Sequence, residues 1–387
     1  MKMLHCLNSI AREGREVFGE GYAFGERMEE AQGLLLRSAS LHEQSFSENL
    51  LAIARAGAGV NNIPIERCSE GGIVVFNTPG ANANSVKELV ICAMLLVARD
   101  VIGGIQWLKS LRVAEDIAKE VEKGKKAFAG HEIKDKRLGV IGLGAIGAEV
   151  ANAAVSLGME VYGYDPYLSV NAAWRLSRRI IHINELHKIY EECDYISLHA
   201  PLTKESETMI DRAAIQKIKE GAVVLNFSRD RLVDDEAMAE ALESGKIRKY
   251  ITDFPNEKSM GMKNCIAIPH LGASTEESEI NCAMMAARQM KDYLENGNIQ
   301  NSVNFADCDM GICKSACRIG LLHLNIPNML GQITAILAQH KLNITDMTNK
   351  SRDKYAYTLL DLDSEIGDEL LELLEGIEGM KKVRKIC

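Results

Sequence analysis

The run VIGLGAIGAEVANAAVSLG, beginning at Val140, constrains this chain more than any other stretch. An apolar strand pattern meets Gly142-Leu143-Gly144-Ala145-Ile146-Gly147 and passes into a helix of small residues. Gly142 permits a tight turn, Gly144 lets the backbone approach a ligand, and Gly147 lets the helix lie close to the sheet. The helix start, with Ala145 and Ile146 in its first turn, offers N–H groups and positive potential to phosphate oxygens. Asp165 closes the next strand, 23 positions after Gly142. That is near the spacing of about 20 at which an acidic residue accepts hydrogen bonds from a ribose. Its carboxylate would repel a 2′-phosphate. The combination predicts a dinucleotide site that prefers NAD to NADP.

The position of this run is unusual, because a dinucleotide fold usually begins with it and here 139 residues come first. KMLHCLN, QGLLLRS, LLAIARAG and GIVVFNT read as short strands in an α/β pattern of their own. Ala83 to Val101 reads as one long apolar helix, capped by Asn82 or Asn84 and packed between two units. RLGVIGLG, MEVYGYD, DYISLHAP, AVVLNFS, RKYITDF and CIAIPH then alternate with helices, which predicts a doubly wound parallel sheet. Another helix covers Glu276 to Asn296, followed by a linker. The last seventy or so residues read strand–helix–strand–strand–helix–strand, the ferredoxin-like order. The expected division is 1–97 with 285–305, 98–284, a linker at 306–317, and 318–387.

A net charge of −9 gives no support to a nucleic-acid surface, although a local cationic pocket stays compatible with it. The longest apolar run, Leu89 to Ala98, is about half a membrane span. With no secretory pattern at Met1–Cys6, a cytoplasmic protein is expected. The ten cysteines are then expected to be free thiols. Cys308, Cys313 and Cys317 lack a zinc spacing and a fourth ligand, so this stretch is expected to be a plain linker without metal.

Three polar residues follow strand ends on the ligand side of the doubly wound sheet: Arg229, Glu257 and His270. Hydride exchange at a 2-hydroxy acid needs such a set. A cation holds the carboxylate and polarises the carbonyl, and a histidine exchanges the hydroxyl proton. A carboxylate orients the histidine and favours its charged form. By residue type alone, Asp253 and Glu276 are alternatives to Glu257.

The order GLGAIG, HAPLT, NFSR, TDFPNE, PHLGAST resembles the D-2-hydroxyacid dehydrogenase family over roughly residues 45–300. In that family the nucleotide domain is inserted into a flavodoxin-like flanking domain, with the active site between them. This would explain the residues before Val140. The resemblance makes Arg229 the substrate-binding arginine, Glu257 the partner carboxylate and His270 the acid/base. It places Ala200, Pro201, Asp253 and Gly272 on the cofactor, with Asp253 at the nicotinamide amide. Two departures stand out. Asp230 follows the arginine where the family has Gly, and DFPNE is one residue shorter than the family's segment.

RAGAGVNNIP and NTPGANANSVKEL are similar to the branch of the family that oxidises 3-phosphoglycerate. There Arg55 and the Gly57 turn would hold the substrate phosphate, and Asn77 would line the site. LLHLNIPNMLGQI resembles an ACT domain, a small regulatory module. His323, Asn325 and Asn343 fit the residues that bind L-serine in such modules, and Asn328 stands where Gly is common. Asparagine tolerates positive φ, so the turn should survive. A homo-oligomer, dimer or tetramer, is implied. The alternatives are a hydroxypyruvate or glycerate reductase, and, in another class, an NAD-sensing binding protein.

Overall fold

The computed structural model describes residues 1–111 and 116–387, which form two compact units. One comprises Met1–Ala81 with Glu276–Cys387, the other Asn82–Thr275.

The first unit opens with β1 (Lys2–Cys6), β2 (Tyr22–Phe24), β3 (Gly33–Leu36), β4 (Ala52–Arg55) and β5 (Val74–Phe76). All pair in parallel in the order β2-β1-β3-β4-β5, the flavodoxin-like 2-1-3-4-5 arrangement. β2 has no counterpart among the expected strands. It is three residues long and only half-buried, so it carries almost no periodic signal. The helix Glu276–Asn296 returns to this sheet, burying Ala286, Ala287, Met290 and Leu294 against Leu35, Ala52 and Phe76.

The second unit holds β6 (Arg137–Ile141), β7 (Glu160–Tyr164), β8 (Ile181–His182), β9 (Tyr195–Leu198), β10 (Ala222–Asn226), β11 (Ile247–Thr252) and β12 (Cys265–Ala267). They form one parallel sheet, β12-β11-β10-β9-β6-β7-β8. The order reverses between β6 and β9, the switch point where such sheets bind ligands. β10 is buried at every position, as expected for a strand covered on both faces. The predicted single helix from Ala83 to Val101 is two. Helix Ala83–Ala98 ends, Asp100 takes a left-handed conformation (φ 39°), and a second helix covers Val101–Ser110. Val90, Ala93, Met94 and Val97 of the first helix join Val150, Ala151 and Ala154 of helix Ala145–Ser156 in the core of this unit. Asn82 holds the N-cap position, but its side chain makes no capping bond, and Asn84 bonds Glu88 instead.

The chain ends with β13 (Cys317–Leu324), helix Met329–Gln339, β14 (Ile344–Arg352), β15 (Tyr355–Leu362), helix Asp368–Glu375 and β16 (Met380–Lys385). The sheet is antiparallel, β14-β15-β13-β16. Its two helices cover one face through Ile333, Leu337, Leu370 and Leu374. The other face, through Leu322, Tyr355, Tyr357 and Leu359, packs into the same cluster as Phe76, Tyr293 and Phe305 of the five-stranded region. Arg318, 1% exposed, forks onto Asp361 at 2.6 and 2.8 Å and donates to the carbonyls of Asn296 and Gly311.

The stretch before β13 is therefore not a plain linker. Phe305 and Cys308 are buried, and Asn304 donates to Ile73 and accepts from the Val75 N–H. The expectation of ten free thiols is also corrected. Cys313 is paired with Cys387 in a disulfide spanning 74 positions, and the other eight cysteines are free. β16 brings the two together by running back beside β13, a closure that local spacing cannot show. Among the described residues no helix is long and apolar enough to cross a membrane.

Candidate active site

The dinucleotide loop follows from its glycines. Gly142 lies at φ 90°, and a Cβ there would stand 2.7 Å from the His199 carbonyl. A Cβ on Gly147 would meet the Gly142 carbonyl oxygen at 1.9 Å, so helix Ala145–Ser156 sits directly on the turn. A Cβ on Gly144 would meet nothing within 4 Å, which leaves an open backbone face for a pyrophosphate. Asp165 accepts from the N–H groups of Leu143 and Tyr167, both at 2.9 Å. Those bonds tie the acidic strand end to the loop and leave lone pairs for a ribose. Ala200 and Pro201 follow β9 on the same side of the sheet. The Ala200 carbonyl accepts from Ser228 and that of Pro201 from Ser206. The residues present fit NAD.

His270 follows β12 in a tight turn. It has φ 53° and donates its N–H to the Ile268 carbonyl. Its ring is exposed and packs on Phe254, with centroids 4.6 Å apart. Asp253, 3% exposed at the end of β11, accepts from the N–H groups of Leu271 and Gly272, both at 2.7 Å. Burial raises its pKa, against the opposing pull of those two bonds and of His270. Gly272 is required there, since a Cβ would lie 2.8 Å from the Asp253 carboxylate. Its carbonyl accepts from Ser85 at 2.7 Å. Asp253 thus holds the histidine turn by its next two residues.

Glu257 opens the short helix Glu257–Gly261 with an exposed side chain. Among the described residues its carboxylate makes no bond to His270, so the structure does not bring this expected pair together. The carboxylate next to the histidine turn is Asp253, the alternative by residue type. Arg229 is exposed after β10, and its carbonyl accepts from the fully buried Asn226 at 2.8 Å. Asp230, the departure from the family's Gly, accepts from Asn256 at 2.9 Å. Asn256 also caps the Glu257 helix and donates to Asp235 at 2.8 Å. Asp230 therefore joins the arginine loop to the loop of Glu257. Asn226 and Asn256 were not singled out in the sequence. Their signal lay in NFSR and FPNE, read there for the charged residues alone.

His199, in HAPLT, is also absent from the expected set. It lies half-buried behind the glycine turn, bonds Ser197 at 2.8 Å, and has a pKa pushed down by desolvation to about 4. It is a neutral wall for that turn at ordinary pH.

In the first unit, Arg55 ends β4 and donates from Nε to the Arg37 carbonyl. A Cβ at Gly57 would stand 2.4 Å from its guanidinium, so the arginine rests on the glycine. The Gly57 N–H donates to the Arg55 carbonyl, so this group of the turn is already used. Asn77 donates to the Ala58 carbonyl at 2.7 Å and accepts on its own carbonyl from Gln289.

In the C-terminal sheet, Asn328 takes φ 65° at the start of its helix, so the expected turn is present. Asn325 and Asn343 are exposed. His323 is 2% exposed, with Nδ1 on the Leu324 carbonyl and Nε2 on Thr358, and burial lowers its pKa. Both ring nitrogens are engaged inside the sheet, so the ring is not presented as the expected effector contact.

The model of the family "D-isomer specific 2-hydroxyacid dehydrogenase, NAD binding domain" matches residues 91–272. A D-3-phosphoglycerate dehydrogenase of Haemophilus influenzae is 31% identical over 87% of this chain and 81% of its own length. That of Methanocaldococcus jannaschii is 32% identical over 83% of this chain, and the chain spans 60% of its length. A hydroxypyruvate reductase of Thermotoga maritima is 36% identical over 69% of this chain and 87% of its own. Among solved structures, the NAD+-bound 3-phosphoglycerate dehydrogenase of Entamoeba histolytica is similar, with a TM-score of 0.62 and 31% identity. It covers 78% of this chain and 98% of that one. The chain belongs to the D-2-hydroxyacid dehydrogenase family. Its second unit is an NAD-binding domain.

Proposed function

We propose that this chain is an NAD-dependent dehydrogenase that oxidises 3-phospho-D-glycerate to 3-phosphooxypyruvate, the first step of L-serine biosynthesis. The observation that carries this reading is the pairing of the NAD loop with His270, on a turn held by Asp253 in the same sheet. The two phosphoglycerate dehydrogenases about one-third identical to the chain support the substrate. Gly142, Gly144, Gly147 and Asp165 would hold NAD, which when bound accepts the hydride from C2 of the substrate. His270 takes the hydroxyl proton as the carbonyl forms. Arg229 binds the carboxylate and stabilises charge on the carbonyl oxygen. Asp253 positions the histidine turn and is the group expected at the nicotinamide amide. Glu257 is kept as the partner carboxylate, a role that requires its side chain to move to His270. Arg55, seated on Gly57, is read as the cation for the phosphate, with Asn77 beside it in the substrate set.

The C-terminal βαββαβ sheet is read as an ACT domain that binds L-serine through Asn325 and Asn343. Asparagine amides supply both donors and acceptors to a zwitterion. His323 then acts by bracing the strand. The protein is read as a cytoplasmic homo-oligomer, to which its eight free thiols are suited.

The test is NADH consumption with 3-phosphooxypyruvate beside hydroxypyruvate, with and without L-serine. Preference for the phosphorylated acid, lost in Arg55→Gln, is the expected result. Preference for hydroxypyruvate would favour the second reading, a hydroxypyruvate reductase, which the Thermotoga relative motivates. Inhibition by serine that survives Asn343→Ala would place the effector elsewhere.

A further inference from the structure

Within the first unit, a recess of about 690 Å³ is lined by Lys2 of β1, by Leu294 near the end of helix Glu276–Asn296, and by Met380 to Lys385 along β16. That is within the usual range for small-molecule sites, about 300–1,000 Å³. Lys2, Lys381, Lys382, Arg384 and Lys385 line it, against the carboxylates of Glu48 and Glu375. In a chain of net charge −9 this is a local reversal of sign.

The cations are held, but hardly neutralised. Lys385 pairs with Glu365. Among the described residues, none of the other four forms an ion pair. Lys2 donates to the Leu294 carbonyl at 2.6 Å, and Lys382 to those of Glu48 and Leu50 at 3.0 and 2.8 Å. Arg384 donates to the Tyr293 and Leu294 carbonyls and lies 4.5 Å from the Tyr293 ring centroid. Capping of the helix end by Lys2 and Arg384 explains part of this arrangement. A helix C-terminus, however, presents only about half a negative charge, too little for two cations. Lys381 and Lys382 lie outside that explanation. Burial, and then the nearby Arg384, lower the pKa of both Lys2 and Lys382, as expected where positive charge is crowded.

We propose that this recess binds a small anion of at least two negative charges, bearing phosphate or carboxylate groups, separately from the dinucleotide and substrate groups. An occupant would bridge β1 to β16 and so fasten the C-terminal sheet to the five-stranded one. More than one negative charge is favoured because Lys2, Lys381, Lys382 and Arg384 line the recess together, with no ion pair among the described residues.

The experiment is calorimetric titration of the full chain with pyrophosphate, inorganic phosphate and citrate, each at an ionic strength matched with chloride. Saturable binding of at least one is expected, weakened tenfold or more by Lys2→Gln with Lys381→Gln, and unchanged by Arg55→Gln. Lys381→Glu, a charge reversal at a side chain with no hydrogen bond among the described residues, should weaken it further, and its thermal midpoint reports whether it folds. Binding of the phosphates alone would define a phosphate-bearing ligand, and of citrate alone a polycarboxylate. Absence of saturable binding above chloride would overturn the proposal. So would binding that Arg55→Gln abolishes and the lysine variants leave intact.

Discussion

The turn after β12 and the strand β13 each present a histidine in a region read as functional, and they treat it in opposite ways. His270 is exposed, at positive φ, with its ring against Phe254 and its turn tied down by Asp253. His323 is buried, with both ring nitrogens bonded inside its own sheet. A histidine that exchanges protons must have a nitrogen free to face a substrate. One whose nitrogens are both engaged specifies structure. Residue type and motif suggested function for both. Partners and exposure separate them.

The largest expected effect would break this contrast outright. His270→Ala should lower turnover by about 10²–10⁴, the usual worth of an acid/base group, with NADH binding unchanged by fluorescence titration. Near-native turnover would remove His270 from the chemistry. On the structural side, Arg318→Met leaves Asp361 buried without its partner. The cost should be about 3–5 kcal/mol, read by urea unfolding. The bond to Arg318 holds the Asp361 carboxyl below its ordinary range. Its contribution is therefore present above the unfolded value, about 3.9, and is lost as pH falls through the folded one. The Arg318→Met protein should lack that acid-side loss.

Asp253→Ala sharpens the comparison at the first histidine. It orphans the buried Gly272 N–H, at a cost of about 1–3 kcal/mol, removes the acceptor of the part-buried Leu271 N–H, and frees the turn. Turnover should fall with stability, whereas a loss of stability at full turnover would deny Asp253 a positioning role. The smallest effect belongs to His323. Burial lowers its pKa, so the unfolded chain takes up the proton more readily. Stability should decline as pH falls below about 6.5, and His323→Gln should flatten that slope in thermal scans.

The nucleotide half of the site was legible because its requirements are local. Gly142, Gly144 and Gly147 are demanded by a turn, an open backbone and a close helix, and Asp165 ends the adjoining strand. Backbone geometry of that kind leaves a fixed spacing in the chain. The strand series was legible for a related reason, since β10 and its neighbours are apolar runs bounded by turns. The break at Asp100 was not, because an apolar helical run can be interrupted without a change in its composition.

The partners of polar side chains were beyond the sequence. Asp253 and Glu257 are four residues apart and chemically alike, and only the fold turns one of them onto the histidine loop. Cys313 and Cys387 are paired by the return of β16, and Arg318 and Asp361 by the pairing of β13 with β15. The cationic recess joins Lys2 to Lys382, near opposite ends of the chain. The sequence by itself determined the succession of strands and helices and the dinucleotide loop, because hydrophobic period and glycine sterics act over a few residues. Tertiary structure decided which charges meet and which histidine is free, because those depend on contacts between residues tens to hundreds of positions apart.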